Sequence, residues 1–364
     1  MPDRRAPAAG RQRARGRATQ RRLLPSLVVG LAILAVPVGT MLVLGRAGGR
    51  LRQYEHRPRP PSAPDIRIVA VMRADQGEAA RQALHQAETV VLDVLGRTSG
   101  EGSEVLRLNS APSGEAVPLS TPVMDLLRAC GDAGAATRGA YSMTLLPLRL
   151  LWEQAAKAGR PPSAEELAAA RNASAPDQIE LREGGAARKS DPAGLDLEDA
   201  ARGFAADSSA DTLLAMGARG GVVEVGGNMR CFGRREDGSP WPVDVLDPFD
   251  ANGAAAMMRL AVGDGAVCTS SHYDRPLAIN GRSYSRVLDP LTGWPAGGGV
   301  LATAVAPTCV QARAWAEALR VLGDAGLKLL PAGVEAMLVV GTAQSHKVHE
   351  SEGFGKYVAA PAKR

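Results

Sequence analysis

Aromatic side chains are scarce in this 364-residue chain, where Phe, Tyr and Trp together make up 4%. A core with so few rings has to be filled by aliphatic groups, chiefly Ala, Val and Leu. Cysteine is equally thin. Cys130, Cys231, Cys268 and Cys309 are widely scattered, with no C-x-x-C pair, which argues against a structural zinc module. Their spacing identifies no disulfide, and the reading it supports is four small buried residues. There is no glycine-rich phosphate loop, no internal repeat and no interior linker strong enough to divide the chain. What is present, 45% apolar and 22% charged residues, suits a folded protein and excludes a wholly disordered one.

The net charge of +5 is local in origin. The first 22 residues hold Arg4, Arg5, Arg11, Arg13, Arg15, Arg17, Arg21 and Arg22 against the single acid Asp3. The remainder is close to neutral or slightly acidic and carries no basic stripe, so no nucleic-acid partner is expected. Residues 23–44 follow as an uncharged apolar run long enough to cross a bilayer as a helix. Arginines on its N-terminal side place the N-terminus in the cytoplasm and the rest outside, as a single-pass protein of the cytoplasmic membrane facing the periplasm or its equivalent. The rival is a cleaved signal peptide: Thr19-Gln20-Arg21-Arg22-Leu23-Leu24 weakly resembles a twin-arginine export signal, but no convincing small-x-small cleavage site follows. The expected organisation is a basic tail (1–22), an anchor (23–44), an Arg/Gly/Pro-rich linker (45–65), one domain (66–350) and a C-terminal tail (351–364).

Periodicity within that domain predicts an α+β fold with a mixed, largely antiparallel sheet and flanking helices. Residues 66–71 read as an opening strand, followed by a helix burying Leu84, Ala87 and Val91. Thr121-Pro122 opens a second helix, and Ser163 with Glu166 forms a capping box for a third. Residues 172–194 read as an irregular or hairpin insert. A helix from near Asp199, a strand over 221–225, a hairpin turning at Asn280-Gly281, a strand over 301–306, a helix over 310–322 and a last core strand over 336–340 complete it.

Four segments look unlike ordinary packing. Ser103-Glu104-Val105-Leu106-Arg107-Leu108-Asn109 joins polar residues to an apolar pair, as a helix end also would. Gly139-Ala140-Tyr141-Ser142-Met143-Thr144 sets an aromatic and two hydroxyls beside a glycine. Asp196-Leu197-Glu198-Asp199-Ala200-Ala201-Arg202-Gly203-Phe204-Ala205-Ala206-Asp207 is followed by Val223-Glu224-Val225-Gly226-Gly227-Asn228, whose glycine pair allows close backbone approach to a ligand or makes a simple turn. Thr269-Ser270-Ser271-His272-Tyr273 precedes Tyr284-Ser285-Arg286-Val287-Leu288-Asp289-Pro290-Leu291-Thr292-Gly293, a rigid polar loop.

In this order and spacing the segments resemble the ApbE family of FAD:protein FMN transferases, over about residues 66–340. The resemblance implies a T-fold-like domain that binds FAD. Family members cleave its pyrophosphate with magnesium and attach FMN through a phosphoester bond to a Thr or Ser of a target flavoprotein outside the membrane, releasing AMP. It assigns flavin contacts to Ser103, Ala140, Tyr141, Ser142, Thr144, Asp196, Arg202, Gly226, Gly227, Asn228, Val287, Leu288, Asp289, Thr292 and Arg313. Candidate catalytic residues are Arg286, at the family's usual His, and His272, where the family often has Asp. The family's metal ligands, an Asp and a Thr on the late helix and a backbone carbonyl, fall on Arg313, Glu317 and near Asp199.

Those replacements leave three readings open. Arg313 and Glu317 form an i,i+4 ion pair; or Arg313 puts a fixed cation where Mg2+ would sit and grips the pyrophosphate; or Glu317 and Asp199 still hold a metal. Glu198-Asp199 also replaces a Gly-Gly, Ser142 replaces an Asp, and no Met-Gly-Thr lies near Met72. Two functions follow: an active transferase, or a degenerate membrane-tethered module that binds FAD or a protein partner.

Overall fold

A sheet of eight strands, every neighbouring pair antiparallel, organises the protein. The computed structural model describes residues 49–58, 64–250, 255–272 and 276–359. In chain order the strands are β1 (Leu51–His56), β2 (Ile66–Arg73), β3 (Val117–Pro118), β4 (Ile179–Arg182), β5 (Gly185–Arg188), β6 (Gly220–Val225), β7 (Asn228–Gly233) and β8 (Trp241–Leu246). They continue as β9 (Ala256–Val262), β10 (Gly265–Ser271), β11 (Leu277–Ile279), β12 (Arg282–Tyr284), β13 (Leu301–Ala306), β14 (Glu335–Thr342) and β15 (Ser345–Glu350). The helices are α1 (Gly77–Thr98), α2 (Glu104–Ser110), α3 (Thr121–Ala136), α4 (Leu146–Ala158), α5 (Ala164–Ala173), α6 (Glu198–Ala215) and α7 (Cys309–Leu322). The main sheet runs β1-β2-β6-β7-β10-β13-β14-β15, with β8-β9, β3-β5-β4 and β11-β12 as smaller sheets. The expected mixed sheet is thus antiparallel throughout.

Both faces of the main sheet are covered, so its inner strands read as continuous apolar runs rather than alternating ones. In β2, Ile66, Ile68, Ala70 and Met72 pack beneath the helices, while Val69 and Val71 face the β8-β9 side with Trp241, Val243 and Leu260. Alanine dominates the helix side, and it lets α1, α6 and α7 settle close to the sheet. All four cysteines are free and buried. A third cluster, built on Leu148, Trp152, Leu167, Ile279 and Leu288, joins α4 and α5 to the β11-β12 hairpin. That hairpin turns where Asn280 and Gly281 both take positive φ, 48° and 75°, as a two-residue primed turn requires. Ser163 and Glu166 close the expected capping box, and the insert over 172–194 contains the β4-β5 hairpin.

Two expected boundaries move. Part of the predicted linker over 45–65 is strand β1, paired along its length with β2 from Leu51↔Arg73 to His56↔Ile68. Half-exposed edge strands carry a weak apolar pattern, and the surrounding Arg and Pro masked this one. The predicted tail from 351 also belongs to the fold, because Phe354 is fully buried, Val358 bridges Leu260, and Ala359 donates to the Arg259 carbonyl. The basic tail (1–22) and anchor (23–44) lie outside the described residues. Among the described residues no helix is long and apolar enough to cross a membrane.

Candidate active site

The late helix α7 is sunk between β10 and β13 on one side and α6 and α3 on the other. Its small residues Ala312, Ala314, Ala316 and Ala318 allow this. The Arg-Gly-Phe-Ala-x-Asp segment explains how it gets there. A Cβ at Gly203 would lie 3.0 Å from the Cβ of Cys309, so glycine lets α6 touch the start of α7. One turn on, both carboxylate oxygens of Asp207 accept from the Cys309 amide at 3.0 and 2.9 Å. They satisfy an orphan donor at the start of α7. Burial raises the Asp207 pKa to about 6, against the opposing pull of that amide and of Arg230.

Arg313 and Arg320 project from the buried part of α7. The Arg313 guanidinium donates from Nε to Asn228 Oδ1 at 3.0 Å and from Nη1 to the Thr269 carbonyl at 2.9 Å. Arg320, 1% exposed, donates to Ser270 Oγ (3.2 Å), Ser285 Oγ (2.8 Å) and the Gly299 carbonyl (3.3 Å). The serines of the Thr-Ser and Tyr-Ser motifs are therefore joined through one buried arginine, which the sequence reading missed. Nothing local in the sequence distinguishes Arg320 from an ordinary charge in a last helical turn.

A cleft opens above these arginines. Its lining joins Ala140, Tyr141, Leu145, Val287 and Leu288 to Ser270, Ser271, Asp196, Asp199, Arg313 and Glu317. Ser142, Arg149, Glu198 and Arg286 also border it. Asp196 lies 2.9 Å from Arg149 Nε. Its pKa is nevertheless raised, because burial and the nearby Asp199 and Glu198 outweigh that cation. Glu317 is pushed up to about 8, first by burial and then by Asp199 and Asp196, with Arg313 and Arg320 opposing. Arg149 is a second residue the sequence reading missed.

Ten predicted site residues thus meet at this cleft: Ala140, Tyr141, Ser142, Asp196, Asp199, Arg286, Val287, Leu288, Arg313 and Glu317. The others lie elsewhere. Ser103 is the N-cap of α2, its Oγ accepting from Leu106 N at 3.1 Å. Thr144 is buried and donates to the Ser174 carbonyl. Arg202 sits behind the cleft, paired with Glu198 and Asp199. Asn228 is fully buried and orients Arg313 instead of facing the cleft. Gly226 and Gly227, at φ 54° and 79°, turn β6 into β7 and border a second hollow on the β8-β9 side, which Arg313 also reaches. Asp289 and Thr292 bond each other at 2.8 Å and brace their own loop, which is further held by Trp152 Nε1 donating to the Gly293 carbonyl. His272 is half-buried and borders neither hollow; burial lowers its pKa, with Arg320 adding to the effect.

The predicted i,i+4 ion pair is not among the ion pairs of the described residues: Arg313 bonds instead to Asn228 on β7 and Thr269 on β10. Nor do Asp196, Asp199 and Glu317 bring their oxygens within 4.8 Å of one another as a metal cluster. With a guanidinium where the family ligand would stand, these residues do not fit a resident divalent ion.

The ApbE family profile matches residues 65–338. The chain belongs to the ApbE family. Curated FAD:protein FMN transferases are similar to it: that of Vibrio cholerae is 29% identical over 72% of this chain and 80% of the relative, and that of Escherichia coli K12 is 27% identical over 74% and 79%. Among solved ApbE structures, the Thermotoga maritima protein superposes with a TM-score of 0.74 at 25% identity, covering 85% of this chain and all of the other. The apo flavinyl transferase of Pseudomonas stutzeri gives 0.73 at 26%, covering 85% and 98%. The ApbE fold is therefore present, with its motif residues divided between cleft wall and scaffold.

Proposed function

We propose that this protein is a FAD:protein FMN transferase that uses Arg313 where other members use a metal ion. The observation that carries the reading is a single cleft lined by both apolar and charged side chains. Tyr141, Leu145, Val287 and Leu288 offer apolar surface for the isoalloxazine ring, and Arg313 lines the same cleft with Ser270 and Ser271. Pyrophosphate cleavage needs positive charge fixed where negative charge develops, and a guanidinium buried to 6% exposure and held by two bonds is preorganised for that task.

In the reaction, the hydroxyl oxygen of an acceptor Thr or Ser attacks the FMN-side phosphorus. The bond to the bridging oxygen breaks, and AMP departs carrying that oxygen. Arg313 and Arg286 contact the phosphates. Asp196 receives the hydroxyl proton, since its burial lifts it toward a working base and Arg149 keeps it oriented. His272 has no part in this. The arginine-rich start and the apolar run over 23–44 support an anchored protein with its domain outside the cytoplasm; alkaline extraction of membranes should leave the full chain in the pellet.

The direct test incubates the full chain with FAD and a Thr-bearing acceptor flavoprotein. The expected products are AMP and acceptor carrying covalent FMN in equal amounts. FAD binding with no AMP under any metal condition would leave a degenerate flavin-binding module instead.

A further inference from the structure

Three strands away from β7, at the edge of the main sheet, stand three side chains that the flavin cleft does not use. His56 ends β1, while His85 and Glu88 occupy adjacent positions one turn apart on α1. His56 Nε2 lies 2.8 Å from Glu88 Oε2, and His85 Nδ1 lies 3.6 Å from the same oxygen. The two imidazole rings meet edge-on with centroids 5.1 Å apart. One ligand atom from each residue falls within 4.8 Å of the others, the only such trio of His, Cys, Asp or Glu among the described residues.

A hydrogen bond from His56 to Glu88 would by itself account for one imidazole. It does not account for a second imidazole nitrogen converging on the same carboxylate from the solvent side, where His85 is 68% exposed and has water available. Bond lengths of about 2.0–2.2 Å to nitrogen and oxygen put tetrahedral ligand atoms about 3.3–3.5 Å apart. The trio is already close to that spacing, and the exposed His85 is free to rotate in. Two imidazoles and one carboxylate select a borderline transition ion over magnesium, which prefers oxygen ligands. We propose that His56, His85 and Glu88 bind one zinc-class divalent ion that clips β1 to α1. The fourth position is left to water, and the ion joins an edge strand to the helix that packs beside it. The site is independent of the flavin cleft and of any claim about its chemistry.

The test uses the full, untagged chain, stripped with chelator and titrated with zinc chloride by calorimetry, with thermal unfolding followed in parallel. The expected result is one zinc per chain and a Tm that climbs with zinc concentration. The His56→Ala/His85→Ala double variant should lose both effects. His346→Ala, altering a histidine on β15, should keep them, and millimolar magnesium should reproduce neither. Glu88→Gln preserves the size and hydrogen bonding of the side chain; it should fold as the parent does in chelator yet weaken zinc affinity by at least about tenfold, since even supporting residues around a metal are worth that much. Equal zinc binding by the parent and the double variant, unchanged affinity in Glu88→Gln, or no binding by the parent would each overturn the proposal.

Discussion

Two groups of residues line the cleft, and they differ in kind. Ala140, Tyr141, Val287 and Leu288 supply apolar surface. Among the polar residues the family's metal-binding pattern is gone: Arg313, Arg320 and Asp199 bring charge of both signs, and burial holds Glu317 toward its protonated form. Yet the scaffold under the polar group is intact: Gly203 admits α7, Asp207 caps it, and Asn228 sits at the turn between β6 and β7. A backbone frame and the chemistry mounted on it can therefore diverge separately. Asn228 shows how, since its side-chain oxygen now serves the arginine.

The comparison breaks most visibly at Arg313. Arg313→Ala should reduce FMN transfer by about 10²–10³-fold, the usual cost of deleting one preorganised charge-stabilising donor, and added magnesium should not restore it. Measuring kcat with saturating FAD checks this. Leu288→Ala, among the apolar lining residues, should instead weaken FAD binding and leave kcat nearly unchanged. Arg320→Met should lower stability by about 3 kcal/mol in urea unfolding, because it strands the hydroxyls of Ser270 and Ser285 and the Gly299 carbonyl in a buried site. Asp207→Ala should cost about 1–2 kcal/mol through the lost cap, and Asp207→Asn, which keeps an acceptor for the Cys309 amide, should cost less.

A further effect should be one of pH. Glu317 has a folded pKa of about 8 against an ordinary 4.5, so the folded state holds a proton that the unfolded chain has released. Its contribution to stability is complete below about pH 4.5 and declines as pH rises toward 8, where it is lost. Glu317→Gln should match the parent at the acid end of that range and exceed it in Tm at pH 9. FAD, which is anionic, should bind the parent less tightly as pH passes 8 and bind Glu317→Gln without that decline.

Much of this was legible beforehand because the strong signals are local. The 3.6-residue periodicity of α1 and α7, the Ser163/Glu166 box and the Asn280-Gly281 turn each lie within a few residues of the element they specify. Motif order was enough to gather ten cleft residues. What escaped is long-range. β1 is defined by its pairing with β2, and its weak edge-strand pattern does not announce it. Arg320 matters only because folding brings Ser270 and Ser285 to it, from 50 and 35 residues away. The glycine pair was ambiguous for a related reason: positive φ marks a turn, but which hollow the turn borders depends on the stacking of the whole sheet. Asp289 and Thr292, read as ligand groups, also bond each other.

The most direct test of the central claim is FMN transfer to a Thr-bearing acceptor flavoprotein measured in excess EDTA and again in millimolar magnesium. A guanidinium in the metal's place predicts the same AMP release and flavinylation rates in both, within about twofold, and loss of both in Arg313→Ala. Transfer that stops in EDTA and returns with magnesium would contradict it.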